Sequence, residues 1–191
     1  EPLCADLLDG ASVAAALEID RERSGGQLIS LLVNNAGVAQ FRPEDESPDV
    51  LARDFDLMYG INVKALILLT QRVTRALVDA GETGAVVHIS SQSSTLALTE
   101  HLIYSSGKAA VDHAARIHAL ELGKHGIRVN TVRPTVVLTA LAREHWKPDA
   151  LAKMAASVPL GRLAEPEDVA HGVAWLLSDQ ASMVTGMTLP I

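Results

Sequence analysis

The chain has 191 residues, a formal net charge of −7, and a composition that is 48% hydrophobic but only 3% aromatic. That length suffices for one domain with a real core, and the acidic balance argues against a nucleic-acid partner, which calls for a basic patch. No apolar run approaches the roughly 20 residues of a membrane span, and a single cysteine, Cys4, excludes an intramolecular disulfide and fits a reducing, cytoplasmic setting.

Leu3-Cys4-Ala5 is a short apolar run ending at Asp6 and predicts an abbreviated strand. A helix follows from about Ser12, taken as its N-cap, to Arg23, and Ser24-Gly25-Gly26 ends it. Residues 28–33 form a buried strand closed by Asn34-Asn35-Ala36-Gly37. Residues 40–48, with their prolines and acids, predict a surface loop. A long helical region spans about 50–80, bent around Gly60, with Leu57, Ile61, Ala65 and Leu68 near helical spacing.

Residues 85–89 are the next strand and lead into Ser90-Ser91-Gln92. A helix carrying Tyr104 and Lys108 runs to about Leu122, with Gly123 and Gly126 at its end. Residues 127–132 make a further strand, stopped by Pro134, and 135–157 predict an irregular, partly helical excursion. Glu165-Pro166-Glu167-Asp168 opens a helix with proline and acids, as the macrodipole favours. A stub of strand at 187–189 closes the pattern.

Strands alternating with helices predict an α/β fold: one domain over 1–191, with a parallel sheet, right-handed crossovers and helices on both faces. Ligands of such folds lie beyond the carboxyl ends of the strands. Asn34 to Gly37, Ser91, and Pro134 to Thr139 all follow strands directly, so they converge on one edge.

Tyr104 and Lys108 are four apart, which in a helix puts both side chains on one face, a turn apart. An ammonium beside a phenol favours the phenolate and should lower its pKa from about 10. Tyr104 would then serve as proton donor and acceptor near neutral pH. Tyr-x-x-x-Lys alone occurs in many helices, and Asn62 alone also reads as a helix-interior amide bonded to backbone. Their company decides the reading.

Asn34-Asn35-Ala36-Gly37, Asn62, Ser91, Tyr104-x-x-x-Lys108, Arg128-Val129-Asn130 and Pro134-Thr135, in this order over essentially the whole chain, resemble the short-chain dehydrogenase/reductase family. Within it, Ser90-Ser91-Gln92, His101, Pro134 to Thr139, Trp146, Pro159-Leu160-Gly161 and Thr185 to Pro190 are similar to the dicarbonyl/L-xylulose reductases. The resemblance implies a Rossmann-like doubly wound sheet, a homotetramer, and reduction of L-xylulose to xylitol and of α-dicarbonyls. It implies NADP(H) as cofactor, with NAD(H) left open. A 3-oxoacyl or hydroxysteroid substrate stays open too, as does a catalytically weak remnant acting through an oligomer interface. No metal site is implied.

By the same resemblance, Tyr104 would protonate the carbonyl oxygen, and Ser91 would hydrogen-bond that oxygen. Lys108 would lower the Tyr104 pKa and hold the cofactor ribose, while Asn62 would fix a water reconnecting Lys108 to solvent. Asp6 and Leu7 would meet the adenine, Asn34, Ala36 and Gly37 the adenosine ribose, and Pro134, Val137 and Thr139 the nicotinamide end. Gln92, Leu98, His101 and Trp146 would surround the substrate.

The sequence departs from the family at both ends. The glycine-rich phosphate loop, Thr-Gly-x-x-x-Gly-x-Gly, does not occur, and the family's closing Asp-Gly-Gly segment is missing. The expectation is a fragment lacking its first two βα units and last segment. Without the backbone N–H groups of that first helix, dinucleotide would bind poorly, and the strand at 29–33 would be an open apolar edge.

Overall fold

A computed structural model describes residues 2–43, 46–139 and 147–191. Helix α1 (Gly10–Arg23) precedes strand β1 (Leu31–Asn34). Helix α2 (Pro48–Tyr59) continues through a π-helical turn (Gly60–Ala65) into α3 (Leu66–Ala80). Then come β2 (Gly84–Ile89), α4 (Leu102–Leu122) and β3 (Ile127–Arg133). Helices α5 (Pro148–Ser157) and α6 (Pro166–Leu177) lead to β4 (Thr188–Pro190). The strands lie in the order β1-β2-β3-β4, and every neighbouring pair is parallel.

The strand sequences explain this layering. Side chains alternate across a sheet, so Val86 and Val87 face opposite ways. Val86 and Val129 pack with Leu77 of α3 and with Ala115 and Ala119 of α4. On the other face, Val87 and Val132 pack with Leu176 of α6. Burial on both faces is why these strands read as continuous apolar runs. The sheet is therefore Rossmann-like, with helices on both sides. At its edge, β1 leaves Leu31 54% and Val33 39% exposed, the open apolar edge that the sequence implied.

Several local expectations need correction. Leu3 to Ala5 is not a strand: no strand among the described residues pairs with it. The N-cap of α1 is Asp9, whose carboxylate accepts from the Ala11 amide at 2.8 Å. Ser12 lies inside the helix, and its hydroxyl instead accepts from the Asp6 amide at 2.9 Å. The first and last strands begin at Leu31 and Thr188, slightly beyond their apolar runs. At Gly60, where a bend was expected, the helix passes into the π turn, a device frequent at functional sites.

Candidate active site

Three loops leaving the carboxyl ends of β1, β2 and β3 meet the N-terminal half of α4. Direct bonds tie them. The Gln92 amide donates to the Pro134 carbonyl at 2.9 Å, joining the loops after β2 and β3. The Ser90 hydroxyl donates to the Lys108 carbonyl at 3.3 Å, fixing the serine loop to α4. Helical periodicity then places Lys108 one turn beyond Tyr104, with its Nζ 5.7 Å from the centre of the Tyr104 ring. The Lys108 side chain is 5% exposed and donates to the Ile89 carbonyl at 2.8 Å.

The electrostatics depart from the expected direction. Burial holds the Tyr104 phenol above its ordinary range, and the hydrogen bond from Ser91 only partly offsets it. A phenolate loses more on burial than that hydrogen bond returns. Burial also pushes the Lys108 amine down to about 8, with Asp112 acting in the opposite sense. Asp112 is itself a knot: its Oδ2 accepts from the Ser94 hydroxyl and from Arg133, each at 2.7 Å. The serine loop, α4 and the end of β3 are pinned at one carboxylate.

Asn62 sits in the π turn with its amide committed to the loop after β1. Its Oδ1 accepts from the Val38 amide and its Nδ2 donates to the Val38 carbonyl, both at 2.8 Å. In these bonds Asn62 is a strap on the loop. A Cβ built on Gly37 would stand 3.3 Å from Asn62 Oδ1 and 3.7 Å from Lys108 Nζ. Glycine keeps that space open. The Asn34 side chain is buried and turned inward, donating to Thr70 Oγ1 and to His88 Nδ1, each at 3.0 Å. Leu7 joins Asn34, Asn35 and Ala36 around a cavity of about 50 Å³. Asp6 is exposed, and its Oδ1 accepts from the Leu8 amide.

The loop after β3 is held by α6's approach. Val137 bridges Ala164, whose carbonyl accepts from the Leu138 amide at 2.8 Å, while the Thr139 amide donates to the Val137 carbonyl. Pro134 is buried and Thr139 exposed.

The substrate residues separate. Gln92 is half-buried beside Ser91. His101 stacks on Phe41 with ring centres 4.1 Å apart, and Phe41 meets Tyr104 edge-on at 5.8 Å. Leu98 instead lines a cavity of about 710 Å³ with Arg42, Phe55, Leu102 and Ile103, and neither Ser91 nor Tyr104 lines it. Trp146 lies outside the described residues. Sequence reading missed Phe41, Ser93 and Asp112. Only Phe41 left a trace, as an aromatic within a loop otherwise rich in acids and proline.

The profile of the family described as enoyl-(acyl carrier protein) reductase matches residues 3–191. The Homo sapiens protein named L-xylulose reductase is 43% identical over 192 residues, spanning 100% of this chain and 75% of that protein. D-erythrulose reductase of Gallus gallus is 40% identical over 193 residues, spanning 100% and 74%. A solved gluconate 5-dehydrogenase of Burkholderia cenocepacia J2315, in complex with NADP and tartrate, superposes with a TM-score of 0.87 at 26% identity. It covers 97% of this chain and 71% of that one.

Proposed function

Because this chain belongs to the short-chain dehydrogenase/reductase family, we propose that it reduces the carbonyl of a small sugar or α-dicarbonyl with NADP(H), L-xylulose to xylitol being the leading reaction. The observation that carries this reading is the meeting of Ser91 and Tyr104, from separate elements, above the buried amine of Lys108. The relatives named L-xylulose reductase and D-erythrulose reductase carry the names of ketoses, which supports a sugar substrate.

The residues present fit the adenosine-ribose and nicotinamide ends of a dinucleotide, while the glycine-rich phosphate loop is not among them. Gly37 leaves room where a Cβ would fill the space beside Asn62 Oδ1 and Lys108 Nζ. Leu7, Asn34 and Ala36 frame the adjoining cavity. Asp6 and Leu7 would hold the adenine, Asn34 to Gly37 the ribose, and Pro134, Val137 and Thr139 the nicotinamide end. When bound, the cofactor supplies hydride to the carbonyl carbon.

The chain supplies the proton and the charge stabilisation. Burial keeps Tyr104 protonated at neutral pH, so the phenol donates to the carbonyl oxygen as that oxygen gains charge. Ser91 donates a hydrogen bond to the same oxygen. The resulting phenolate stands over Lys108, whose charged form stabilises it until a proton returns. Asn62 keeps Gly37 and Val38 against this pair. Gln92 and His101 would receive the substrate's hydroxyls, with Leu98 further out.

The test follows NADPH oxidation with L-xylulose, diacetyl and an acetoacetyl thioester. L-xylulose and diacetyl should turn over well above the thioester, and Tyr104→Phe should lose about 10³-fold. Thioester preference would reassign the substrate. Turnover unchanged by Tyr104→Phe would sink the mechanism.

A further inference from the structure

We infer that Ser93 is a positioning residue that makes Ser91 a one-way hydrogen-bond donor toward Tyr104 and the oxygen that Tyr104 protonates. The inference rests on the catalytic reading of Ser91 and Tyr104 given above.

A serine hydroxyl has one proton and two acceptor sites. Ser91 Oγ accepts from the Ser93 amide at 3.3 Å and from the Ser93 hydroxyl at 3.1 Å. Both acceptor sites are thereby occupied, and what remains to Ser91 is its own proton. Its other hydrogen-bond neighbour is Tyr104. Before substrate binds, the proton therefore runs from Ser91 to the phenol oxygen; the phenol keeps its own proton for a substrate, and the Ser91 proton turns to the carbonyl oxygen when that oxygen arrives. Donors run Ser93 to Ser91 to Tyr104 in a single sense.

The opposite polarity would be unproductive. If Ser91 had a free lone pair, Tyr104 could donate to it and hold its proton in a bond that a substrate must first break. Ser93 is 4% exposed, which leaves water no ready access to take over its hydroxyl's place. The turn that carries it, Gln92–Ser94, is anchored one residue on, where Ser94 donates to Asp112 at 2.7 Å. The geometry of Ser91 is thus set by a buried neighbour outside the residues assigned to cofactor and substrate.

The chain has two tyrosines, Tyr59 and Tyr104. Tyr59 donates to Ser106 at 3.0 Å on the surface, so a Tyr59→Phe background leaves Tyr104 as the sole phenol signal. The Raman Fermi doublet of a phenol distinguishes an accepting hydroxyl from a donating one. In this background the doublet should show an acceptor. Ser93→Ala should move it toward a donor and raise the alkaline titration midpoint of Tyr104 by about half a unit or more. Ser93→Thr should restore both. Should Ser93→Ala fail to fold, Ser93→Cys, a weak donor, should show an intermediate doublet.

Two failures are distinguishable. If Ser91→Ala shifts the doublet and Ser93→Ala (or Ser93→Cys) does not, the positioning role is wrong while the catalytic pair stands. If Ser91→Ala leaves the doublet unmoved, the Ser91–Tyr104 bond is absent, and both this inference and the proposed mechanism fall.

Discussion

Asn34 places its amide nitrogen 3.0 Å from Nδ1 of His88. An amide nitrogen only donates, so the imidazole accepts there and carries its proton on Nε2. The ring is wholly buried, and its pKa is pushed to about 3, first by burial and then by His118 and Lys108.

The sign of the pH dependence follows. The folded value lies below the ordinary 6.5, so the unfolded chain takes up this proton first as pH falls. The stabilisation is complete above 6.5 and drains away toward 3. By about pH 5 the loss should be about 2 kcal/mol. Urea midpoints measured across that range should fall more steeply for the parent than for His88→Asn, which keeps an acceptor but does not titrate. Parallel slopes would refute the buried neutral ring.

Lys108 has the same direction of shift and the same sign of pH dependence, in a higher pH window. Its amine is lowered from 10.5 to about 8, chiefly by burial. At neutral pH the folded state carries a buried ammonium and is the less stable for it. Between 8 and 10.5 the folded protein sheds that proton before the unfolded chain does, and stability rises with pH. The parent should therefore gain on Lys108→Met as pH increases from 8 to about 9.5, by about 2 kcal/mol. Denaturant unfolding of both at several pH values reads the difference. A gap that stays constant would mean that Lys108 is already hydrated.

Local signals carried much of this site. Tyr104 and Lys108 were legible because helical spacing is a property of neighbouring residues, and Ser91 because an apolar strand ended in hydroxyls. The direction of the Tyr104 shift was not legible, since burial arises only when distant elements close over the ring. The meaning of Ser93 and Phe41 was not legible either, since it lies in contacts that only the folded geometry sets: Ser93 to Ser91, and Phe41 to His101 and Tyr104. Asp9 and Ser12 are both able to cap a helix, and only geometry separated them. Arg128-Val129-Asn130 marked the family correctly, but its polar members are structural. Asn130 bonds the Val184 carbonyl and the Met187 amide, each at about 3 Å.

Arg128 shows what such a residue holds together. Its guanidinium donates to the carbonyls of Leu176, Leu177 and Ser178, capping the C-terminal end of α6 on the sheet. A cation there also meets the negative end of the helix dipole. Arg128→Met should cost about 2–4 kcal/mol by stranding those carbonyls. Arg128→Lys should recover only part, because a point charge cannot reach several carbonyls as the planar fork does. Thermal melts of the three chains test this, and equal recovery by lysine would show that charge alone matters.

Phe41 offers a test of how the substrate is read. His101 Nδ1 sits 2.5 Å from the Thr99 carbonyl, so that nitrogen carries a proton and Nε2 is left for a ligand. Phe41 stacks on the ring and limits its rotation, while its edge also contacts Tyr104. Phe41→Ala removes the stack and the edge contact but leaves the Tyr104 hydroxyl and the Lys108 amine in place. A substrate hydroxyl held by His101 should then bind more weakly, and KM for L-xylulose should rise about tenfold, the scale of one lost hydrogen bond. Diacetyl has no hydroxyl to lose, so its KM should stay near the parent's, and kcat should change little for either. Equal rises for both substrates would mean that Phe41 shapes the pocket generally and that His101 does not read the sugar.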